Sequence, residues 1–492
     1  MARSQALPPS ASALSASMRD LGYSLETAVA DLIDNSISAG ATKIDIVCDL
    51  TREQPSLEII DDGHGMSEEE LIAAMRHGSA SPAEVRAPND LGRFGLGLKT
   101  ASFSQCRRLT VATAQHGAIS AAEWDLDVVN RNDEWLVSIL DPEEIDELPF
   151  MNKLAGTGTI VLWRDLDRLF EDQTGTKRDE IVSEKIDSVE RHLSLVFHRF
   201  LAGEVRGRKR LAITINGHVV EPFDPFCRSN SATQVLPEEV VRLGDSVIRM
   251  QPYILPHHSK LSARGYDYYK NRSDFLSNQG AYVYRNGRLM VWGDWFRLIP
   301  KGEATKLARV QIDFPSALDE MWTIDIKKSR ARPPYQVRER LRQIIGTISD
   351  RSTTIHRKRG RKLFDEVRAP IWERYADRGT IRYSLNHEHP LVESLLAALD
   401  DREKGRLSML LDAISSSLPI EMIYSDFSVS PRAINQTEVA EESVAEKLQA
   451  LKELLCGNGI KDAEGFRDVV ESTRSFADHM PLVDKFIEEE FA

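Results

Sequence analysis

Three clusters in the first hundred residues carry groups that could do chemistry. Asp31 and Asn35 stand four apart in a helical pattern, so both project from one face. A carboxylate beside an amide oxygen suits a hard cation and an attacking water: Asn35 would ligate Mg²⁺ and Asp31 would orient the water. The second cluster, Asp61-Asp62-Gly63-His64-Gly65-Met66, directly follows an apolar run. Its two glycines let backbone approach a planar ligand, and a carboxylate there can accept from an exocyclic amine. The third is Gly92-Arg93-Phe94-Gly95-Leu96-Gly97-Leu98-Lys99-Thr100-Ala101, a glycine-rich stretch opening into a helix, with Lys99 and Thr100 close by. Such backbone presents N–H groups to phosphate, and the helix dipole favours the negative charge. Taken singly, each cluster also has an ordinary reading as a solvated helix face or a glycine turn. The third lacks the GxxxxGK[ST] spacing of a Walker loop, and no HRD or DFG follows it.

The elements that must position these groups are legible around them. Val29, Leu32, Ile33 and Ile37 share one face of a helix over Leu25–Ser38. Lys43–Cys48 alternates as a half-buried strand, and Leu57–Ile60 is a short apolar strand running into the second cluster. Ser67 before Glu68, Glu69 and Glu70 predicts a capped helix start. From Gly78 to Gly97 the chain is rich in Gly, Pro, Ser and Asn, the composition of a long binding loop or lid. Leu109–Thr113, Ala121–Asp125, Trp135–Leu140 and Thr159–Trp163 add strands, which predicts a mixed sheet covered by helices.

At 492 residues the chain calls for several domains, and with 41% hydrophobic residues it can build substantial cores. No apolar run is long enough to span a membrane, and MARSQALPPSASALSAS has no signal-type apolar core, so a soluble cytoplasmic protein is expected. Cys48, Cys106, Cys227 and Cys456 form no paired motif, which argues against a zinc site or disulfide framework. A net charge of -13 argues against bulk nucleic-acid binding, though not against a local basic groove.

In this order the clusters resemble the GHKL ATPases, the superfamily of DNA gyrase B, MutL, the large heat-shock chaperones, histidine kinases and the MORC proteins. DLIDNSISAGA (31–41) is similar to the helix motif, DDGHGM (61–66) to the adenine motif and GRFGLGLKTAS (92–102) to the lid motif. Gly158-Thr159-Ile160-Val161 with Arg164-Asp165-Leu166 is similar to the last strand motif. The resemblance implies an α+β fold: a Bergerat α/β sandwich holding ATP and Mg²⁺. It implies that Asn35 binds Mg²⁺, that Asp61 accepts from the adenine amine, and that Gly63, Gly65 and Met66 shape the base pocket. Thr159 would support Asp61 through water. Gly92, Phe94, Gly95, Leu96 and Gly97 would surround the phosphates, with Lys99 near the terminal one. The family's usual glutamate is Asp31 here, shorter by roughly 1.5 Å of reach, so slow turnover is expected. Glu26 is the weaker alternative base.

Tyr284-Arg285-Asn286-Gly287-Arg288-Leu289 resembles the transducer domain of MORC and MutL proteins, and points to the GHL branch. Trp322–Ser329 resembles the strand and loop that lend a lysine to the terminal phosphate, here Lys327 or Lys328. The expected layout is a flexible tail over 1–14, an ATPase domain over 15–167, a transducer-like α/β domain over 168–342 and a helical C-terminal region over 343–492. Beyond Pro333-Pro334, helices are expected over Val337–Leu363, Pro390–Leu399, Leu407–Leu418 and Ser443–Leu455. ATP would close two protomers into a clamp. The partner would be DNA, contacted through Arg206–Arg210 or Arg357–Lys362, or another protein, with antiphage defence as one setting. A chaperone-like or pseudo-ATPase scaffold is the alternative. His387 and His389 fit a turn cap better than a metal site, having no third ligand nearby.

Overall fold

The computed structural model describes residues 9–50, 55–77, 91, 97–154, 156–169, 176–256, 260–261, 268–269, 275, 277–302, 305–324, 331–348, 371–377, 380–397, 399–423, 444–456, 462–473, 476 and 479–491. Two compact units are present, Met1–Ile348 and Ser349–Ala492.

The first unit is built on a sheet of eight strands among the described residues: β1 (Lys43–Asp49), β2 (Ser56–Asp61), β3 (Arg108–Gln115), β4 (Ala118–Asp125), β5 (Ser138–Ile139), β6 (Gly158–Arg164), β7 (Ala212–Ile215) and β8 (His218–Val219). Their order is β5-β4-β3-β6-β2-β1-β7-β8. Only β1 with β7 is parallel. The strands alternate cleanly between two apolar layers. Leu57, Ile59, Leu109, Val111, Val161 and Trp163 face a core shared with Val29, Leu32, Ile33 and Ile37 of helix α2 (Leu25–Ser38). Ile60, Ala112, Ala114 and Ile160 face a smaller layer with Ile145 and Leu154. This period of two fixes which strand residues look up at α2.

The tail expected over 1–14 is helical from Ala11. Helix α1 (Ala11–Arg19) begins at Ser10, whose hydroxyl accepts from the Ala13 N–H. Ser10 and Ser12 bond Asp133, and Arg19 grips both oxygens of Asp167 at 2.7 Å, so the segment is docked at both ends. Helix α3 (Glu68–Met75) starts with the cap expected at Ser67, and Glu70 completes it as a reciprocal capping box. Helix α4 (Gly97–Gln105) packs on α2, and its Ser102 hydroxyl accepts from the Trp163 indole at 2.8 Å. Two short helices follow, α5 (Leu126–Asn132) and α6 (Pro142–Asp146).

A second sheet of the same unit contains β9 (Gln234–Val235), β10 (Glu239–Leu243), β11 (Ser246–Ile254), β12 (Gly280–Arg285), β13 (Arg288–Asp294) and β14 (Ala308–Phe314). The path is β10-β11-β14-β12-β13, with β9 on β11. Asn286 (φ 50) and Gly287 (φ 86) close the β12–β13 hairpin with both central residues left-handed, the turn that Asn-Gly favours. A helix over 335–348 covers the sheet through Val337, Leu341 and Ile348. Helices α7 (Thr176–Val196) and α8 (His198–Leu201) join the two sheets. His198 Nε2 lies 2.8 Å from the Tyr284 hydroxyl, and Arg199 sits 3.6 Å over the Tyr284 ring while pairing with Asp313.

The second unit is largely helical: Pro390–Ala397, Asp401–Ser416, Val444–Cys456, Ala463–Thr473 and Met480–Glu490. Val444, Leu448, Leu455, Phe466 and Val483 form its core. It also holds a hairpin, Trp372–Asp377 with Thr380–Leu385, where no strand was expected. His389 Nδ1 accepts from the Leu391 N–H at 3.2 Å, a turn cap, and no metal-binding cluster occurs among the described residues. Of the helix expected over Val337–Leu363, and of the basic stretch Arg357–Lys362, residues 349–363 lie outside the described residues. Among those described, no helix is long and apolar enough to cross a membrane.

Several histidines are packed where a charge is unwelcome. His77, just past α3, lies among Phe103, Trp124 and Trp135, with ring centroids 5.7, 5.6 and 4.2 Å away. Neither of its ring nitrogens has a hydrogen-bond partner among the described residues. Burial, helped by Lys99, holds its pKa down at about 4; burial also holds His192 at about 3 and His198 well below the usual histidine value. The folded chain keeps these rings neutral while the unfolded chain protonates near pH 6.5. Their contribution is therefore complete above pH 6.5 and is lost as pH falls towards 4. Melting temperatures of wild type and His77→Phe between pH 7 and 4.5 should show the smaller acid loss in the variant; equal slopes would refute the assignment.

Candidate functional site

Helix α2 is where the sequence clusters meet. The Ser36 hydroxyl donates to Asp61 Oδ2 at 2.6 Å, and the Gly63 N–H donates to Asp61 Oδ1 at 2.9 Å. Burial raises the Asp61 carboxyl above its ordinary value, while these two bonds pull it back down. Each carboxylate oxygen accepts one bond here and has capacity for a second. Across β2, β6 and β3, Asp61, Thr159 and Thr113 stand directly opposite one another on the face that looks at α2. The two threonine hydroxyls are 3.3 Å apart, and Thr113 Oγ1 accepts from the Met66 N–H at 2.9 Å.

The glycines around Asp61 are required by close approach. A Cβ on Gly65 (φ +69) would stand 1.9 Å from the Ala114 carbonyl oxygen. One on Gly63 would meet Ala39 and Asp61 at 2.9 Å. The DDGHGM segment can lie this flat against β3 and the end of α2 only because it carries no side chains there.

On the other flank, Asp31 is buried and its Oδ2 accepts from the Tyr23 hydroxyl at 3.1 Å. A Cβ built on Gly97 would sit 4.0 Å from that same oxygen, so the first turn of α4 faces the Asp31 carboxylate. Asn35, one turn beyond Asp31, is exposed. A lone exposed amide oxygen suits Mg²⁺, which keeps several waters and takes few protein ligands beside substrate phosphates.

Lys99 points elsewhere. Two positions past Gly97 it lies on the opposite side of α4, and its Nζ donates to the Ala74 carbonyl at the end of α3 at 2.8 Å. Burial lowers its pKa to about 8. It is not brought to the face that Gly97 turns towards Asp31. Thr100 is buried, and its hydroxyl has no partner among the described residues. Gly92, Phe94, Gly95 and Leu96, and Lys327 and Lys328, lie outside the described residues.

Tyr23, Ser36 and Thr113 were not singled out from the sequence. Ser36 carried a readable signal: a hydroxyl next to Asn35 on a helix that must bury one side. The other two are brought in by tertiary packing alone.

Residues 23–158 match the family model described as histidine kinase-, DNA gyrase B-, and HSP90-like ATPase. The chain is 36% identical over 96 residues to "ATPase morc-1" of Caenorhabditis elegans, covering 19% of this chain and 11% of that protein. It is also 36% identical over 103 residues to the "DNA mismatch repair protein MutL" of Xylella fastidiosa (strain M23), covering 19% of this chain and 16% of that one. The match thus spans a minor part of the length of each relative.

Because Gly65 combines a left-handed backbone with a carbonyl in the way of any Cβ, Gly65→Ala should cost about 2–3 kcal/mol in thermal or urea unfolding. Gly117→Ala, also left-handed (φ +84) but in open space, should cost about 1 kcal/mol. Equal losses would show that the approach to Ala114 is not the constraint.

Proposed function

We propose, from the match of residues 23–158 to the histidine kinase-, DNA gyrase B- and HSP90-like ATPase model, that the chain binds MgATP on α2 and hydrolyses it slowly as a nucleotide-driven switch. The observation that carries this reading is that one helix meets both other clusters, through Ser36 on Asp61 and through Asp31 facing Gly97. Asp61, with an acceptor site left on each oxygen, takes the adenine amine; Gly63, Gly65 and Met66 flank the base, and Thr159 supports Asp61 through water. The backbone entering α4 at Gly97 binds phosphate, with Gly92, Phe94, Gly95 and Leu96 assigned from their motif alone. Bound Mg²⁺ would neutralise triphosphate charge, with Asn35 as its protein ligand. Asp31 orients the attacking water, its carboxylate held by Tyr23.

Lys327 or Lys328 would supply a terminal-phosphate contact, as the family resemblance implies. Lys99 would reach phosphate only by leaving the Ala74 carbonyl; in its present place it ties α4 to α3. ATP-dependent pairing of two copies and action on DNA belong to the same reading. MutL is named for DNA mismatch repair, and Arg206 and Lys209 are exposed cations fit for phosphate contacts. Antiphage defence is one setting for such a switch. A second reading, a pseudo-ATPase that binds ATP to organise a protein complex, is favoured by the short, tyrosine-bonded Asp31 and by the direction of Lys99.

Calorimetry with MgATP should show Asp61→Asn binding at least about tenfold more weakly, since an amide N–H would oppose the adenine amine. Equal affinity would remove Asp61 from the site. Phosphate release should fall about 100-fold in Asp31→Ala and less than about twofold in Glu26→Ala; the reverse would move the base to Glu26. Wild type that binds but releases no phosphate supports the second reading. Sedimentation should show a dimer only with a non-hydrolysable nucleotide, and DNA binding should weaken steeply with salt.

A further inference from the structure

The β12–β13 hairpin of the second sheet holds α2 directly through Arg288 and indirectly, by way of Leu91, through Arg285. Arg288, at the start of β13, places Nε 3.2 Å from both oxygens of Asp34, and both side chains are buried. Asp34 lies between Asp31 and Asn35 in sequence, on the side of α2 away from solvent. The Ser38 hydroxyl donates to the Asp34 carbonyl at 2.8 Å and accepts from the Leu91 N–H at 3.2 Å. The Leu91 carbonyl in turn accepts from Arg285 Nη1 at 3.2 Å, and Arg285 also grips Asp319 at 2.7 Å. These bonds form a closed circuit from β12 through Leu91, Ser38 and Asp34 back to β13. Arg208 adds a bond from the α8–β7 connection to the Ile37 carbonyl.

A buried carboxylate–guanidinium pair tolerates little displacement, because separating it leaves two uncompensated charges. The circuit therefore fixes the rotation and height of α2 relative to the hairpin. Asp31 and Asn35 ride on the same helix, within one turn of Asp34.

Resting on the ATP reading above, we propose that Arg288 and Arg285 are positioning residues for hydrolysis. The hairpin holds α2 so that Asp31 and Asn35 stand in register with Asp61 and Gly97, and a shift of the second sheet is felt at the site through Asp34. Neither arginine touches nucleotide, so their loss is expected to fall far more on turnover than on affinity.

The test uses the full chain carrying Arg288→Met, Arg288→Lys, Asp34→Asn and the double variant Asp34→Asn/Arg288→Met. Melting curves first fix a temperature at which each is folded. Calorimetry then gives the ATP Kd, and steady-state phosphate release gives kcat and KM. Arg288→Met should lower kcat at least about tenfold, with Kd and KM changed less than about threefold. Arg288→Lys, which keeps the cation without the planar fork, should recover part of the loss. The double variant should be no slower than the slower single, because both remove one interaction. Variants that melt lower but turn over like wild type when folded would overturn the proposal. If Arg288→Met does not fold, Arg285→Lys replaces it: without the fork it cannot serve Asp319 and Leu91 in their different directions, and kcat should fall at least about threefold. Unchanged kcat there also overturns the proposal. A wild-type chain that neither binds nor hydrolyses ATP refutes the proposed function and the positioning role with it. Normal wild-type turnover with unaltered variants refutes the positioning role alone.

Discussion

Burying Asp61 beneath α2 is the constraint on which the rest of the first unit depends. A carboxylate taken out of water is costly unless its oxygens are bonded. The sheet side supplies one donor, the Gly63 N–H, and only the helix supplies the other, the Ser36 hydroxyl. That bond sets where α2 can lie along β2. Moving the helix by one residue would put Asn35 or Ile37 in place of Ser36 and take the serine hydroxyl away from Asp61. The same placement carries Asp31 to the first turn of α4 and leaves Asn35 in solvent.

The helix is held from its other sides by the same kind of bond. Three acidic residues on α2 or beneath it receive three different partners: Tyr23 for Asp31, Arg288 for Asp34 and Ser36 for Asp61. Each partner comes from a different part of the chain, and each is buried or half-buried where water competes poorly. An amphipathic helix held by apolar contacts alone can rotate by some degrees at little cost, whereas directional bonds to buried carboxylates cannot follow such a rotation. The layered core provides the bulk of the binding between helix and sheet, and the polar contacts choose the register.

How much of this was legible in the sequence differs by the kind of interaction. The α2 pattern, the cap at Ser67 and the Asn286-Gly287 hairpin were readable because their determinants are local: periodicity, a cap and a left-handed turn. The glycines at 63 and 65 were readable as places of close approach, though not which carbonyl or side chain stood opposite. Tyr23 and Arg288 were not readable as partners of buried carboxylates, since they are joined to Asp31 and Asp34 only by tertiary packing. Lys99 shows the limit of a motif: its identity was plain, but its direction follows from the turn of α4 and the free carbonyl at Ala74. Helix α1 was obscured by its Ser/Ala composition, which reads as a polar tail until Asp133 and Asp167 are placed beside it. The hairpin over Trp372–Leu385 was obscured by charged residues alternating with aromatic ones, in a region whose other segments have helical periods.

A helix that carries candidate site residues within one turn of a buried ion pair is a natural point of coupling. Asp31 and Asn35 can move only as α2 moves, and α2 answers to Asp34 through Arg288. Any force that displaces the hairpin must either break that pair or carry the helix with it, and the cost of an uncompensated buried charge makes the second route the easier one. Leu91 extends the same logic to the chain that enters the glycine-rich segment, because its N–H is held by α2 and its carbonyl by Arg285. Two sheets that share no strand are in this way mechanically joined at α2.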